Sequence, residues 1–347
     1  MKPLPKHLLI IRLSAMGDVA MTVPVIKALR EKYPEVKITV LTRPFFAPFF
    51  RGIHDMRFFH LNLKVRHKGF WGLFRLAADA RKDGVDAVAD LHDVLRSQVI
   101  RKIMGLRGCR VSHIDKGKGE KRRLCKRGYM NYHQLKTTVE RYTDVLRDLG
   151  FEVGPQPVPD LKFPVPLAIN YLHGKKTGHW IGIAPFAKHA AKMYPLALLQ
   201  EAAVQIADKA QKVFIFGGGK EEQWLADQIA SQRDNIISVI GCINLGEELN
   251  LISNLDAIVT MDSSAMHMAS LVGTPAVSVW GGTHPYAGFY GFGQDPANTV
   301  QAALECRPCS VYGNKACQYG DYRCMAGITP ESIVEKVWEV CGRESSL

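Results

Sequence analysis

Ala257–Gly282, AIVTMDSSAMHMASLVGTPAVSVWGG, reads as a strand, a tight turn, a short helix, a Gly-Thr-Pro break and a second strand. Ala257–Thr260 and Ala276–Trp280 are short apolar runs rich in β-branched residues, the pattern of strands buried on both faces of a parallel sheet. Between them, Asp262, Ser263 and Ser264 offer N-cap side chains where a helix begins. A helix starting there turns unpaired backbone N–H groups, and the positive end of its dipole, toward the carboxyl edge of the sheet. That is a ready place for a phosphate or pyrophosphate. His267, about one turn further on, is placed to point back at the same ligand. A capped crossover helix with a hydrogen-bonded core histidine accounts for the same residues, so the rest of the chain has to decide.

Working outward, the same rhythm repeats. Upstream, the pattern predicts strands at Trp180–Ala184, Lys212–Gly217 and Ile236–Ile240, and helices at Pro195–Ala207, Glu221–Ser231 and Leu245–Ser253. Downstream, Thr329-Pro330 opens a final amphipathic helix through Cys341. The first half alternates likewise. Leu8–Leu13 is a strand; Ser14–Thr22 is a turn entering a helix that runs on to Tyr33, and KITVLT is the next strand. Phe70–Lys82, Val94–Met104 and His133–Leu149 have helical spacing, and Asp86–Leu91 reads as a strand. Between the halves, Gly154–Pro166 carries five prolines in thirteen residues, a stiff extended linker. The expected fold class is α/β: two Rossmann-like, doubly wound domains facing a cleft, residues 1–165 and 166–347. The final helix, about 330–342, is allowed to pack back on the first domain.

Composition narrows the function classes. At 347 residues, with 47% hydrophobic residues, the chain can bury two cores and is neither disordered nor fibrous. No apolar run approaches the roughly 20 residues that span a bilayer. The LLIIRL run lacks the flanks of a signal peptide, and the expected location is the cytoplasm. A net charge of +12 asks for an anionic partner: nucleic acid, acidic lipid or a phosphorylated substrate. Lys116–Arg127 packs seven cations around two glycines without periodicity, and reads as a mobile, anion-meeting loop or a solvated charge run. Of eight cysteines, Cys306, Cys309, Cys317 and Cys324 cluster as C-x2-C-x7-C-x6-C. That spacing suits a structural zinc as well as reduced thiols or a local redox pair, and has one close C-x2-C knuckle where a zinc ribbon has two.

Ligands of such sheets bind beyond the carboxyl ends of the strands. After the first strand come Ser14, Met16, Gly17 and Asp18, an acid at a helix start. After the strand at 180–184 come Lys188 and Lys192, two cations ahead of a helix. The Gly217-Gly218-Gly219-Lys220-Glu221 turn is not a dinucleotide fingerprint, because Glu222 stands where a glycine is required. It leaves Glu221 at a helix start, able to accept from a ribose hydroxyl. There is no Walker A loop and no Asp-x-Asp pair, so a metal-held diphosphate has no obvious carboxylate site; positive charge and helix N-termini must hold it.

Together these loops match a family. IIRLSAMGDV followed by TVPVIKALREKYP resembles the N-terminal signature of the family-nine glycosyltransferases, the ADP-heptose:lipopolysaccharide heptosyltransferases and their relatives. KMYP, FGGGKEE, ISNLDAIVTMDSSAMHMASLVGTPAVSVWGGTHP and the cysteine-rich tail resemble the same family in the same order, over nearly the whole chain. The resemblance implies a GT-B fold and an inverting, metal-independent transfer of a heptose or related sugar from an ADP-sugar, with no cofactor. The acceptor would be a lipopolysaccharide core or another anionic lipid-linked sugar, reached by peripheral contact with the inner membrane; nucleic acid is not an implied partner.

By the same resemblance Asp18 is the general base, with Ser14, Met16 and Gly17 on the acceptor side. Lys192 neutralises the leaving diphosphate, Lys188 lies beside it, and Glu221 binds the ribose. Ile243 flanks the base. Asp262, Ser263 and the amides of Ser264, Ala265 and Met266 form the diphosphate turn, with His267 behind them. Two departures bear on the donor: Ser264 replaces the family's usual glycine, and Lys188 stands where small hydroxyl residues are common.

Two other classes are separable by experiment. A GT-B nucleotide-sugar enzyme using another donor, or an epimerase turning over a donor without acceptor, shares the loops. A basic, zinc-stapled nucleic-acid binder predicts salt-dependent binding to DNA or RNA, and leaves Asp18 and the Asp262 turn without a purpose.

Overall fold

A computed structural model describes residues 3–59, 69–126, 132–155 and 162–344 of the chain. The chain divides into two compact units, one of residues 1–116 and 136–157, the other of residues 117–135 and 158–347. The segment 117–135 therefore groups with the second unit, whereas the sequence reading carried it with the first.

The first unit is a five-stranded sheet of order β3-β2-β1-β4-β5, with β1 His7–Ile11, β2 Lys37–Leu41, β3 Met56–Phe58, β4 Ala87–Asp90 and β5 Arg110–His113. The second is a six-stranded sheet of order β11-β10-β9-β6-β7-β8. Its strands are β6 Trp180–Ala184, β7 Lys212–Ile215, β8 Ile236–Ser238, β9 Ala257–Met261, β10 Ala276–Trp280 and β11 Thr299–Gln301. Every pairing is parallel. All residues of β1, β6, β9 and β10 are buried, which is why these four read as mostly apolar runs, each with at most one polar residue.

The strands that the pattern missed, β3, β5 and β11, are all at sheet edges and keep exposed or half-buried positions. Half-burial removes the continuous apolar run that identified the others. Two helices differ from expectation. The helix foreseen from His133 starts only at Thr138, because Thr137 and Glu140 close a capping box: the Thr137 N–H donates to Glu140 Oε2 at 2.7 Å and the Glu140 N–H to Thr137 Oγ1 at 3.2 Å. The helix entered at Ser14 is two helices, Met16–Ala20 and Val23–Lys32.

The basic segment is not a mobile loop. Lys118–Leu124 is a helix that starts after Gly117 at φ +60°, and its Leu124 packs with Leu135 and Ala287. Lys121 is buried with its ammonium 4.0 Å from the Phe289 ring centre, while Lys118, Arg122, Arg123 and Lys126 stay exposed. Arg127 and residues 156–161 of the proline-rich linker lie outside the described residues. The final helix, Pro330–Glu344, sets Ile333, Val337, Val340 and Cys341 into the core under the second sheet. Among the described residues no helix is long and apolar enough to cross a membrane.

Candidate functional site

Each sheet reverses its winding at one place, between β1 and β4 in the first unit and between β6 and β9 in the second. The carboxyl ends of the strands on either side of such a switch point diverge their loops and open a crevice. Asp18 follows a strand at the first of these places and Lys192 and Asp262 follow strands at the second, while Glu221 and Ile243 come after β7 and β8.

In the first unit, Arg12 follows β1, and its guanidinium pairs with the Asp18 carboxylate. The Ala15 N–H donates to the same Asp18 oxygen at 3.2 Å. Arg12 also donates to the Leu91 carbonyl at 2.6 Å, and the Tyr142 hydroxyl donates to the Asp18 carbonyl at 3.2 Å. Asp18 is thus held from three sides while its side chain keeps 29% of its surface exposed. A carboxylate so fixed and still open can meet a hydroxyl in a defined direction. Ser14 and Met16 are half-buried beside it and Gly17 is buried in the helix start.

His92, just beyond β4, lies 3.4 Å from Ser14 Oγ through Nε2, and only 8% of it is exposed. Burial, with Arg12 and Lys116 adding positive charge, pushes its pKa down to about 4, so the ring is neutral at ordinary pH. Its loop is shaped by Asp90, which accepts the backbone N–H groups of His92 and Asp93 at 3.0 and 2.8 Å and pairs with Arg101.

In the second unit, Lys192 comes from the loop after β6 and Asp262 from the end of β9. Lys192 Nζ stands 2.7 Å from Asp262 Oδ2, and Thr283 Oγ1 donates to the same oxygen at 2.8 Å. Asp262 is 6% exposed, so its charge is answered inside the protein. The helix that follows, Ser264–Val272, has Ser263 at its N-cap position in extended conformation and no capping side chain. The expectation that Asp262 and the two serines would cap it is therefore corrected: Asp262 is turned to Lys192 and Thr283. The first-turn N–H groups of any α-helix lack intrahelical partners, and here Ser264, Ala265 and Met266 present them without a competing side chain. His267 is on the buried face of this helix, 7% exposed.

The turn after β7 is equally specific. Gly219 sits at φ +89°, where a side chain is strained, and a Cβ on Gly217 would lie 2.7 Å from Phe186 and 2.8 Å from Ile240. Glu222, not Glu221, folds back to accept the Gly218 N–H at 2.7 Å, leaving Glu221 exposed at the first turn of the helix Lys220–Ala230. Lys188 is exposed, and Ile243 is half-buried just before Asn244 caps the helix Leu245–Ile252.

Sequence reasoning passed over Arg12, Tyr142, His92, Thr283 and Arg307. Arg12 and His92 each stand within two residues of a strand's carboxyl end, and the loop census could have found them. Thr283 and Arg307 carry no local signal; Arg307 reaches the Gly281, Ala302 and Thr283 carbonyls at 2.5, 2.5 and 3.1 Å and so braces the loop holding Thr283.

The chain as a whole has relatives among known proteins. Lipooligosaccharide heptosyltransferase 2 of Campylobacter jejuni is 23% identical over 93% of this chain and 95% of its own length. The enzyme of the same name from Haemophilus influenzae is 26% identical over 97% of this chain and 100% of its own. The solved structure of the Escherichia coli ADP-heptose lps heptosyltransferase II superposes with a TM-score of 0.70 at 20% identity, covering 98% of this chain and 99% of that one. The likeness is to the two-domain GT-B fold. Residues 73–319, well over half of the chain, match the profile of glycosyltransferase family 9 (heptosyltransferase). With both parallel sheets and the loops at their switch points accounted for, the chain belongs to glycosyltransferase family 9 and is a glycosyl-transferring enzyme.

Proposed function

We propose that the protein is an inverting, metal-independent heptosyltransferase that moves a heptose from an ADP-heptose donor to a sugar of a lipopolysaccharide core. The observation that carries this reading is the Lys192–Asp262–Thr283 cluster beside an uncapped helix N-terminus, where a lysine ammonium and open backbone N–H groups stand together to meet a departing diphosphate. In the reaction, Asp18 takes the proton of the acceptor hydroxyl as its oxygen attacks the anomeric carbon. The bond from that carbon to the diphosphate oxygen breaks, and ADP leaves with its new charge met by Lys192 and the amides of Ser264, Ala265 and Met266. Arg12 and the Ala15 N–H aim the Asp18 carboxylate. Glu221 accepts from the ribose hydroxyls, Ile243 flanks the adenine, Ser263 lines the turn, His267 supports it from behind, and Lys188 adds charge at its mouth. Ser264, bearing a Cβ where relatives of the family commonly have glycine, narrows that turn.

The acceptor side of the reading is an anionic, lipid-linked sugar met at the inner face of the membrane, with the exposed cations of the 118–124 helix and Lys126 available to its phosphates. The names of the relatives and of the E. coli structure support the choice of heptose and lipopolysaccharide core.

The test is transfer from ADP-heptose to a purified core acceptor in the presence of EDTA, for wild type and Asp18→Asn. Wild type should form product, and the variant should lose about 10²–10⁴ in kcat while still binding ADP. Full activity in Asp18→Asn, or donor consumption that needs no acceptor, would sink the proposal.

A further inference from the structure

Three aromatic rings meet on the loop after β10 and take no part in the chemistry above. The Leu135 N–H donates to the Tyr286 carbonyl at 3.0 Å, and the Tyr132 hydroxyl donates to the Arg307 carbonyl at 2.9 Å, so the segment from Tyr132 to Leu135 is tied down on that loop. The Tyr132 ring centre is then 5.4 Å from that of His284, edge to face, and 6.0 Å from that of Tyr286; His284 and Tyr286 are 4.5 Å apart. Ring clusters of this geometry ordinarily close a core, yet each tyrosine keeps 38% of its surface exposed. Beside them opens a cavity of about 500 Å³, walled by Tyr132, His284, Gln301, Glu305 and Arg307. All of these residues belong to the second unit.

The wall has a definite polarity. Arg307 is already committed, donating to the Gly281, Ala302 and Thr283 carbonyls and to Gln301 Oε1. Among the described residues no other Lys or Arg lines the cavity, and Glu305 adds an exposed carboxylate, so an anion is poorly served there. His284 is neutral at ordinary pH, because burial and the nearby Arg307 push its pKa down to about 4. Its Nδ1 accepts the Tyr286 N–H at 3.1 Å, which leaves the proton on Nε2 as a donor. Gln301 has its oxygen on Arg307 and keeps its amide N–H groups to give. Neutral N–H donors, one carboxylate acceptor and open tyrosine faces suit a sugar ring, whose hydroxyls pair with planar polar side chains while its C–H face packs on an aromatic ring.

We propose that Tyr132, His284, Gln301 and Glu305 form a saccharide subsite that holds one neutral, polyhydroxylated sugar ring beside the transfer site. The placement follows from the chain: His284 comes directly after Thr283, whose hydroxyl donates to Asp262, and Arg307 joins the cavity wall to the Thr283 carbonyl. The subsite rests on the glycosyl-transferring activity of the family; whether the ring is the transferred sugar or a sugar of the acceptor rests on the reading above, and the experiment separates the two.

The test is saturation-transfer NMR on the full chain with methyl glucoside, methyl galactoside and free heptose as probes. It compares wild type, Tyr132→Leu, Glu305→Ala and a control, Tyr171→Ala, at an exposed tyrosine elsewhere in the second unit. Wild type and the control should pass saturation to the ring protons of at least one probe, and the two site variants should lose most of it. Steady-state transfer from ADP-heptose then names the source. An acceptor KM raised about tenfold assigns an acceptor sugar, whereas the same rise in the donor KM with unchanged ADP affinity assigns the transferred one. Glu305 is exposed, so its variant carries the test if Tyr132→Leu fails to fold. A wild type that shows the NMR contrast but does not use ADP-heptose would remove the donor proposed above and leave the subsite standing. No saturation of any probe by wild type, equal saturation in the site variants, or KM values for both substrates unchanged in them would overturn the proposal.

Discussion

Lys192 Nζ and Asp262 Oδ2 are 2.7 Å apart, joining the loop after β6 to the end of β9 across the switch point of the second sheet. Asp262 is the more deeply buried partner, at 6% exposure. Lys192→Ala therefore strands a buried carboxylate as well as removing the proposed phosphate contact. We expect it to cost about 3–5 kcal/mol of stability, the range for breaking a buried pair, in addition to its effect on transfer. Urea unfolding of Lys192→Ala, Asp262→Ala and the double variant checks this. The double variant should be less destabilised than the sum of the singles by about 1–3 kcal/mol, and simple additivity would show that the pair is not coupled.

The Gly217 turn makes a sharper steric prediction. Gly217→Ala puts a methyl 2.7 Å from the Phe186 ring and 2.8 Å from Ile240. Overpacking of this kind costs about 1–3 kcal/mol, and relief must shift the start of the helix that presents Glu221. Both the melting temperature and the affinity for ADP should fall. Gly218→Ala, where a Cβ meets nothing within 4 Å, is the control and should change neither appreciably.

Stability against pH carries two opposing signatures. His92 has its folded pKa pushed down to about 4 from the ordinary 6.5, so between those values the unfolded chain binds the proton and the folded chain does not. Its contribution is present above pH 6.5 and is lost as pH falls to about 4. Glu248 is the reverse: burial raises its pKa from 4.5 to about 7, and stability present below 4.5 is lost as pH rises through 7. His92→Gln should flatten the acid limb, and Glu248→Gln should stabilise the protein at pH 8 by about 1–3 kcal/mol. Chemical denaturation at pH 4.5, 6 and 8 reads both, and unchanged limbs in the variants would contradict the assignments.

Four exposed cations, Lys118, Arg122, Arg123 and Lys126, flank the buried Lys121. Replacing the four with glutamine should weaken use of a lipid-linked acceptor and its binding to anionic vesicles, with a shallower salt dependence, and leave ADP binding unchanged. Vesicle sedimentation and ADP calorimetry on the same variant provide the check. Equal loss of both would assign this helix a structural role. Lys121→Gln differs in kind: it removes the contact with the Phe289 ring and should lower stability.

The sequence by itself determined the parallel α/β class, the central strands and the loops that follow their carboxyl ends. Strands β1, β6, β9 and β10 are buried on both faces, and such strands are written as mostly apolar runs. Their carboxyl ends then locate Asp18, Lys192 and Asp262 without any knowledge of packing. Only the tertiary structure decided what those side chains touch. Asp262 answers Lys192 and Thr283 instead of capping its own helix, and Asp18 is held by the nearby Arg12 and by Tyr142; Lys192, Thr283 and Tyr142 come from other segments of the chain. The edge strands β3, β5 and β11 and the basic helix were also hidden, because partial burial against other segments leaves no local period to read. Periodicity reports which face of an element is buried. Which groups meet there is fixed by contacts far apart in sequence, and those exist only once the chain has folded.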